Sequence, residues 1–239
     1  MVIMDLGCIM GKIKLNRITM TKLLFSLKGL ESRTPLQIIT DCVQPVHIED
    51  IPEFILKFER KKNKKEYGLS TNEIVALGNL CELTSFKSTS IQNWIKRDVK
   101  ELIGSPELGK KYSVEQAALL LIVRDLKAVF DFETICRLLM KVFNTLSDRS
   151  DDLINPLRFY QIYAITLENL GNIMIEPSCQ DPLEEKIEKE IYSLLQEEMN
   201  LQHIEVKEIT HILVITVLSV LSSHIQLRTI QYAEKAFTT

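Results

Sequence analysis

Apolar residues recur three and four positions apart through most of this chain, the spacing of one helix face. The pattern predicts an all-α protein, and its clearest block runs from Leu69 to Leu139. Ser70 and Thr71 open that block. Glu73 stands three residues after Ser70, where a hydroxyl and a carboxylate cap each other's backbone N–H groups. Ile74, Leu77, Leu80 and Cys81 form one apolar stripe. After a turn over Leu83 to Lys87, Ser88 stands as the cap of a second helix whose inner face is Ile91, Ile95, Val99 and Leu102. Gly104 to Ser113 is a Gly- and Pro-marked excursion, the length of a small two-stranded wing. Ser113 with Gln116 is another capping box, ahead of an apolar helix over Val114 to Val129. Asp131, with Thr134 at N3, caps the next helix, Phe132 to Phe143.

The flanks are helical too. Thr21 to Leu30 is an amphipathic turn or two, followed by Arg33 to Ile39, read as short helices packing on the central block. Pro156 begins a helix over Leu157 to Leu170 that Gly171-Asn172 ends, and Glu176 to Pro182 is a linker. Leu183 to Leu201 carries Leu183, Ile187, Ile191, Leu194, Leu195 and Met199 on one face and glutamates mostly on the other. Ile209 to Leu227 holds nineteen residues without a formal charge, near the length that spans a bilayer. Its Thr, Ser, His and Gln residues favour a helix buried in protein or at a dimer seam over a membrane anchor.

Charge divides the chain. Residues 57–127 carry 14 Lys/Arg against 9 Asp/Glu, net +5, while residues 128–239 carry 9 against 17, net −8. The overall −3 hides a basic middle. An acidic C-terminal half points away from nucleic acid and suits dimerisation or sensing. The run Lys57 to Lys65 reads as a solvated linker that can add phosphate affinity.

On the second helix, Gln92, Lys96 and Lys100 lie opposite the apolar face, with Asn93 and Arg97 beside them. Amides and Arg can hydrogen-bond base edges, and Lys neutralises phosphate. Solvent alone also selects such a face; the wing residues Lys110 and Lys111, placed to meet a backbone phosphate, tip the reading towards DNA. Trp94 reads as a structural anchor with a phosphate-facing edge.

Other chemistry is sparse. The five cysteines are far apart, odd in number and without C-x-x-C spacing, so neither a disulfide framework nor a zinc site is expected. His211 and His224 lie thirteen apart and form no metal pair. No Ser/His/Asp, Cys/His or phosphate-loop constellation appears, so no enzyme and no cofactor is expected. Lys12, Lys14 and Arg17 interrupt the N-terminal apolar stretches, no signal peptide is read, and a cytoplasmic protein with reduced thiols is expected. The start stays open between Met1, Met10 and Met20.

Ser88 to Leu139 resembles the MerR-type winged helix in its recognition helix, its wing ending in Tyr112-Ser113, the helix Tyr112-Ser113-Val114-Glu115-Gln116-Ala117, and Phe130-Asp131-Phe132-Glu133-Thr134-Ile135 before the last helix. Where that pattern has an Arg followed by two aromatics, this chain has Gln92, Asn93 and Trp94, and its wing is about a residue shorter. The whole chain resembles a bacterial family of uncharacterised proteins carrying that domain, notably in Ile91 to Asp98 and Ile103 to Tyr112. The resemblance implies a MerR-like winged helix-turn-helix over residues 69–145, preceded by an N-terminal helical segment and basic linker (1–68) and followed by a helical dimerisation or effector domain (146–239). It implies a homodimeric, sequence-specific transcriptional regulator that contacts double-stranded DNA through Gln92, Asn93, Trp94, Lys96, Arg97, Lys100, Lys110 and Lys111. An effector, small molecule or protein, would act on the C-terminal domain. A protein-interaction adaptor reusing the same scaffold without DNA is the alternative.

Overall fold

A computed structural model describes residues 13–43, 47–60, 66–143, 151–173, 182–196 and 203–238. In chain order these form α1 (Arg17–Lys28), α2 (Pro35–Cys42), a 3-10 turn (Ile48–Asp50), α3 (Glu53–Glu59), α4 (Thr71–Leu80), α5 (Ser88–Asn93), a π-helical turn (Trp94–Asp98), α6 (Lys100–Ile103), α7 (Val114–Leu126), α8 (Phe132–Leu139), α9 (Pro156–Ile173), α10 (Leu183–Gln196) and α11 (His203–Thr238). The fold is all-α. Among the described residues the β content is three isolated bridge pairs.

Local sequence explains where the helices begin. Ser70 with Glu73 and Ser113 with Gln116 cap reciprocally, and Asp131 accepts from the Thr134 N–H at 2.8 Å. Ser88 does not cap. Lys87 takes the cap position without a side-chain bond, and the Ser88 hydroxyl donates to Asn72 Oδ1 at 3.0 Å. Two helices stop sooner than their periodicity suggests. α7 ends at Leu126, before Val129, where the Lys127 ammonium donates to the Phe130 carbonyl at 3.2 Å. α8 ends at Leu139, yet Val142 and Phe143 beyond it are still buried.

The core is built on α7. Ala117, Ala118, Leu119, Leu120, Ile122, Val123 and Leu126 are fully enclosed, with α1, α9 and α11 packed around them. A helix apolar on nearly all sides can only be an interior one. One hydrophobic cluster runs from Ile13 to Val220, so the first helix, the central block and the C-terminal helices share an interior. A buried polar knot crosses it: Arg17 donates to both oxygens of Asp125 (3.1 and 2.7 Å) and to Glu82 (3.3 Å), and Tyr163 donates to Asp125 (3.0 Å). Burial alone would lower the Arg17 pKa, but the charge and hydrogen bonds of Asp125 hold it well above its ordinary value.

The C-terminal half departs from its sequence reading at one boundary and extends it at another. α9 does not end at Gly171-Asn172 but continues to Ile173. A glycine inside a helix costs about 1 kcal/mol, which the packing of Leu167 and Leu170 on the core overrides. Ile209 to Leu227 is the middle of a 36-residue helix whose ends are exposed and charged. The apolar residues of α10 and of the α11 middle are covered within one molecule, as expected of helices buried in protein. Ile187, Ile191 and Leu195 of α10 and Ile209, Leu213 and Val217 of α11 are all buried, with α10 and α11 packed on each other within one molecule. What remains uncovered is the last part of α11, where Ile225, Ile230, Tyr232 and Phe237 are 56%, 54%, 78% and 87% exposed.

No helix among the described residues is long and apolar enough to cross a membrane. Cys42, Cys81 and Cys136 are free thiols, and no group of three or more His, Cys, Asp and Glu among the described residues could hold a metal ion. Cys8, Cys179, most of the basic run (61–65), most of the linker (176–181) and the stretch after Gln196 to Leu201 fall outside the described residues.

Candidate nucleic-acid interface

α4 and α5 meet across a turn that is fixed from several directions. Asn79, near the end of α4, takes the Phe86 N–H on its side-chain oxygen (2.6 Å) and gives its own N–H to the Phe86 carbonyl (3.1 Å). Phe86 then lies directly on Gly78. A Cβ on Gly78 would stand 2.3 Å from the Phe86 ring, so no larger residue allows this approach. Lys14 donates to the carbonyls of Asn79 (2.8 Å) and Thr84 (3.2 Å), and Arg124 of α7 donates to the Leu83 carbonyl (2.9 Å). Leu83 itself has φ of 57°, a left-handed conformation that leucine rarely adopts. The surrounding bonds hold it there.

The segment after the turn sorts its faces as its periodicity predicts. Ile91, Ile95, Val99 and Leu102 are buried, and Gln92, Asn93, Lys96, Arg97 and Lys100 are exposed. The backbone beneath them is less regular than one helix. α5 passes into a π turn at Trp94, and Val99 (φ −129°, ψ 27°) separates that turn from α6. Trp94 accounts for the placement. Its half-buried ring meets Phe86 edge-on at 5.9 Å and Phe132 of α8 at 5.3 Å, two contacts of about 0.5–1.5 kcal/mol each beyond area burial. Trp94 is therefore a brace between the turn and α8. Asp98 and Glu101 share the exposed surface, so the face is mixed rather than uniformly basic.

The excursion over residues 104–113 begins at Gly104, whose φ of 72° and ψ of −168° belong to a region essentially only glycine visits. Leu108 and Lys111 exchange backbone hydrogen bonds (2.9 and 3.2 Å), and Tyr112 exchanges two more with Leu69 (both 2.8 Å). The wing expected as two paired strands is thus two isolated bridge pairs, and its return limb pairs with the residue ahead of α4. One buried amide binds the loop together. Gln116 donates to the Ile103 and Ser105 carbonyls (both 2.7 Å) and accepts from the N–H groups of Ser113 (2.9 Å) and Glu107 (3.3 Å).

The two wing lysines differ. Lys110 is exposed at the tip. Lys111 pairs with Glu73 at 3.2 Å and lies 5.2 Å from the Tyr67 ring centre, while Tyr67 donates to Glu73 at 3.0 Å. Burial and the neighbouring carboxylate push the Tyr67 hydroxyl up to about 12. Burial works against charge on Glu73, but hydrogen bonds from Ser70, Lys111 and Tyr67 hold its carboxyl below its ordinary value. Lys111 thus ties the wing to the start of α4.

The surface brings Gln92, Asn93, Lys96, Arg97 and Lys100 onto one side of one segment, with Trp94 turned inward behind them. Gln116, Asn79, Gly78 and Phe86, which position that segment, gave no periodic signal. The only sequence cue among them was Gln116 at N3 of a capping box.

The family described as a domain of unknown function (DUF1836) matches residues 46–163. Over 223 residues the chain is 51% identical to "Uncharacterized protein YkrK" of Bacillus subtilis (strain 168), an alignment covering 91% of this chain and 95% of that one. The chain belongs to the DUF1836 family. The DUF1836 match opens just before α3, takes in the whole surface described above and ends within α9. Arg17 of the polar knot therefore lies outside the DUF1836 match, and Asp125 and Tyr163 lie within it. No solved structure matches the chain.

Proposed function

We propose that this protein is a cytoplasmic, sequence-specific DNA-binding transcriptional regulator that works as a homodimer, with α4 to α6 and the 104–113 excursion serving as a MerR-like winged helix-turn-helix. The observation that carries this reading is the segment after α4. One of its faces is clamped to the core by Ile91, Ile95, Val99 and Trp94, and the other offers two amides, two lysines and an arginine to solvent. A rigidly held helix with such a free face suits a major groove, where amides and Arg read base edges and Lys meets phosphate. Lys110 is the wing's phosphate contact. Lys111, already paired with Glu73, orients the wing.

The dimer seam belongs to the last turns of α11 rather than to α10 and the α11 core stripe. Ile225, Ile230, Tyr232 and Phe237 leave roughly 500 Å² of apolar surface per copy open, at the upper end of what an isolated monomer shows, and two copies together bury about 1,000 Å². Residues 225–239 hold one acid and two bases, so the arm has no charge block that would select a strongly charged partner. Recovery of genomic DNA with the intact protein, followed by sequencing, tests the function. Enrichment of a near-palindromic motif supports it, and DNA no different from input removes it.

A further inference from the structure

Near the start of α11 the chain encloses a cleft of about 300 Å³ against α10, far from the proposed DNA surface in sequence. Its wall includes the Thr210 side chain, which is 7% exposed, and among the described residues the Thr210 hydroxyl has no hydrogen-bond partner. The same helix shows how unusual that is. Thr216, Ser219, Ser223 and Thr229 each donate to the carbonyl four residues back, at 2.8, 2.8, 3.1 and 2.9 Å. Thr210 forgoes that bond. A buried hydroxyl without a partner is disfavoured, so such a group lining a cavity marks a place where a ligand completes the bonding.

The remaining wall selects the chemistry. Lys189 and Tyr192 come from α10, and His203, Lys207 and His211 from α11, against one carboxylate, Glu188. Tyr192 is 41% exposed and adds an aromatic side chain to the lining. The volume matches about ten water-sized groups, the size of a small organic molecule. We infer that the α10–α11 cleft binds a small organic anion: an apolar, preferably aromatic, body against Tyr192, its carboxylate or phosphate held by Lys207 and the neighbouring basic side chains, and a polar group meeting the Thr210 hydroxyl. α11 is continuous from this cleft to His224, which lies 3.9 Å from Glu82 beside the α4–α5 turn, so occupancy has a rigid route to the reading surface. That regulatory consequence rests on the DNA-binding reading, whereas the binding itself does not.

Calorimetric titration of the full-length protein, without DNA, with benzoate, phenyl phosphate and benzylamine separates the possibilities. Saturable binding of benzoate or phenyl phosphate but not benzylamine is expected, and whichever anion is tighter identifies the headgroup. Thr210→Val should raise the melting temperature of the unliganded protein, because it removes an unpaired buried hydroxyl, and should weaken binding by roughly threefold to tenfold. Lys207→Glu, at an exposed position, should weaken it by more than roughly tenfold with the melting temperature unchanged. Absence of saturable heat from both anions, equal binding of benzylamine, or undiminished affinity in both variants would overturn the inference. A Thr210→Val variant that melts lower would show the hydroxyl to be structural and overturn it as well.

Discussion

Two stretches of this chain both read as helices from their apolar spacing, and they end up as opposites. Residues 203–238 form one unbroken helix whose middle is gripped by α7, α9 and α10. Residues 88–103 are broken into a short helix, a π turn and a single further turn. The difference lies in what surrounds them. α11 has neighbours around its middle, from Ile209 to Val220. The 88–103 segment is made of pieces too short to be stable alone, since isolated helices below about 12–15 residues are marginal in water. It is held in place by contacts from outside itself: Phe86, Phe132, Cys136 and the buried core.

By that contrast, the 88–103 segment should fail first when its brace is removed. Trp94→Ala should cost about 2–4 kcal/mol, less than a fully enclosed tryptophan because its ring is partly exposed, and should release the 88–103 amides to fast hydrogen exchange while α11 stays protected. Equal loss of protection in α11 would show that the two regions unfold as one. Gln116→Leu keeps the volume but leaves two carbonyls and two amides without their partner, an expected loss of about 1–3 kcal/mol with proteolysis appearing within residues 104–112. Unchanged denaturant midpoints would remove Gln116 as the fastener of the wing.

The exposed end of α11 sharpens the contrast from the other side. Tyr232→Glu with Phe237→Glu should leave the denaturant midpoint within about 0.5 kcal/mol of the parent, because neither side chain is buried in the monomer, yet convert a dimer to a monomer in light scattering. A dimer that survives both changes places the seam elsewhere. The smallest effect concerns Glu73. Its carboxyl is depressed in the folded chain, so its contribution is complete at neutral pH and is lost as the pH falls through the folded value. Melting curves of Glu73→Gln should therefore converge with the parent at acid pH, below the ordinary carboxylate range, and lie below it at neutral pH. A constant offset across that range would show that the charge of Glu73 does not matter.

Much of this architecture could be read from residue spacing. Capping boxes at Ser70 and Ser113 and the inner face Ile91, Ile95, Val99 and Leu102 follow from local rules that act within one or two turns. What spacing could not reveal depends on contacts between distant residues. The choice between burial in protein and a dimer seam for Ile209 to Leu227 stayed open because its partners, α7, α9 and α10, are unknowable from a single periodic pattern. Ser88 looked like a cap because nothing in the sequence says that Asn72 stands beside it. Lys111 read as a phosphate clamp because its ion pair with Glu73 spans 38 positions, and Trp94 sits on Phe132, an equally long separation. For the candidate surface, the exposed residues were legible and the polar bonds that hold them were not.

The most direct test is a salt series of duplex binding by the full-length protein and by the double variant Lys96→Glu, Arg97→Glu, using a selected site and a shuffled control. The parent should prefer the selected site and lose affinity steeply with salt. The variant should bind both weakly, with the slope of log K against log salt reduced by about two. Parent and variant binding alike, or no duplex binding by the parent at low salt, would contradict a reading surface on α5 to α6.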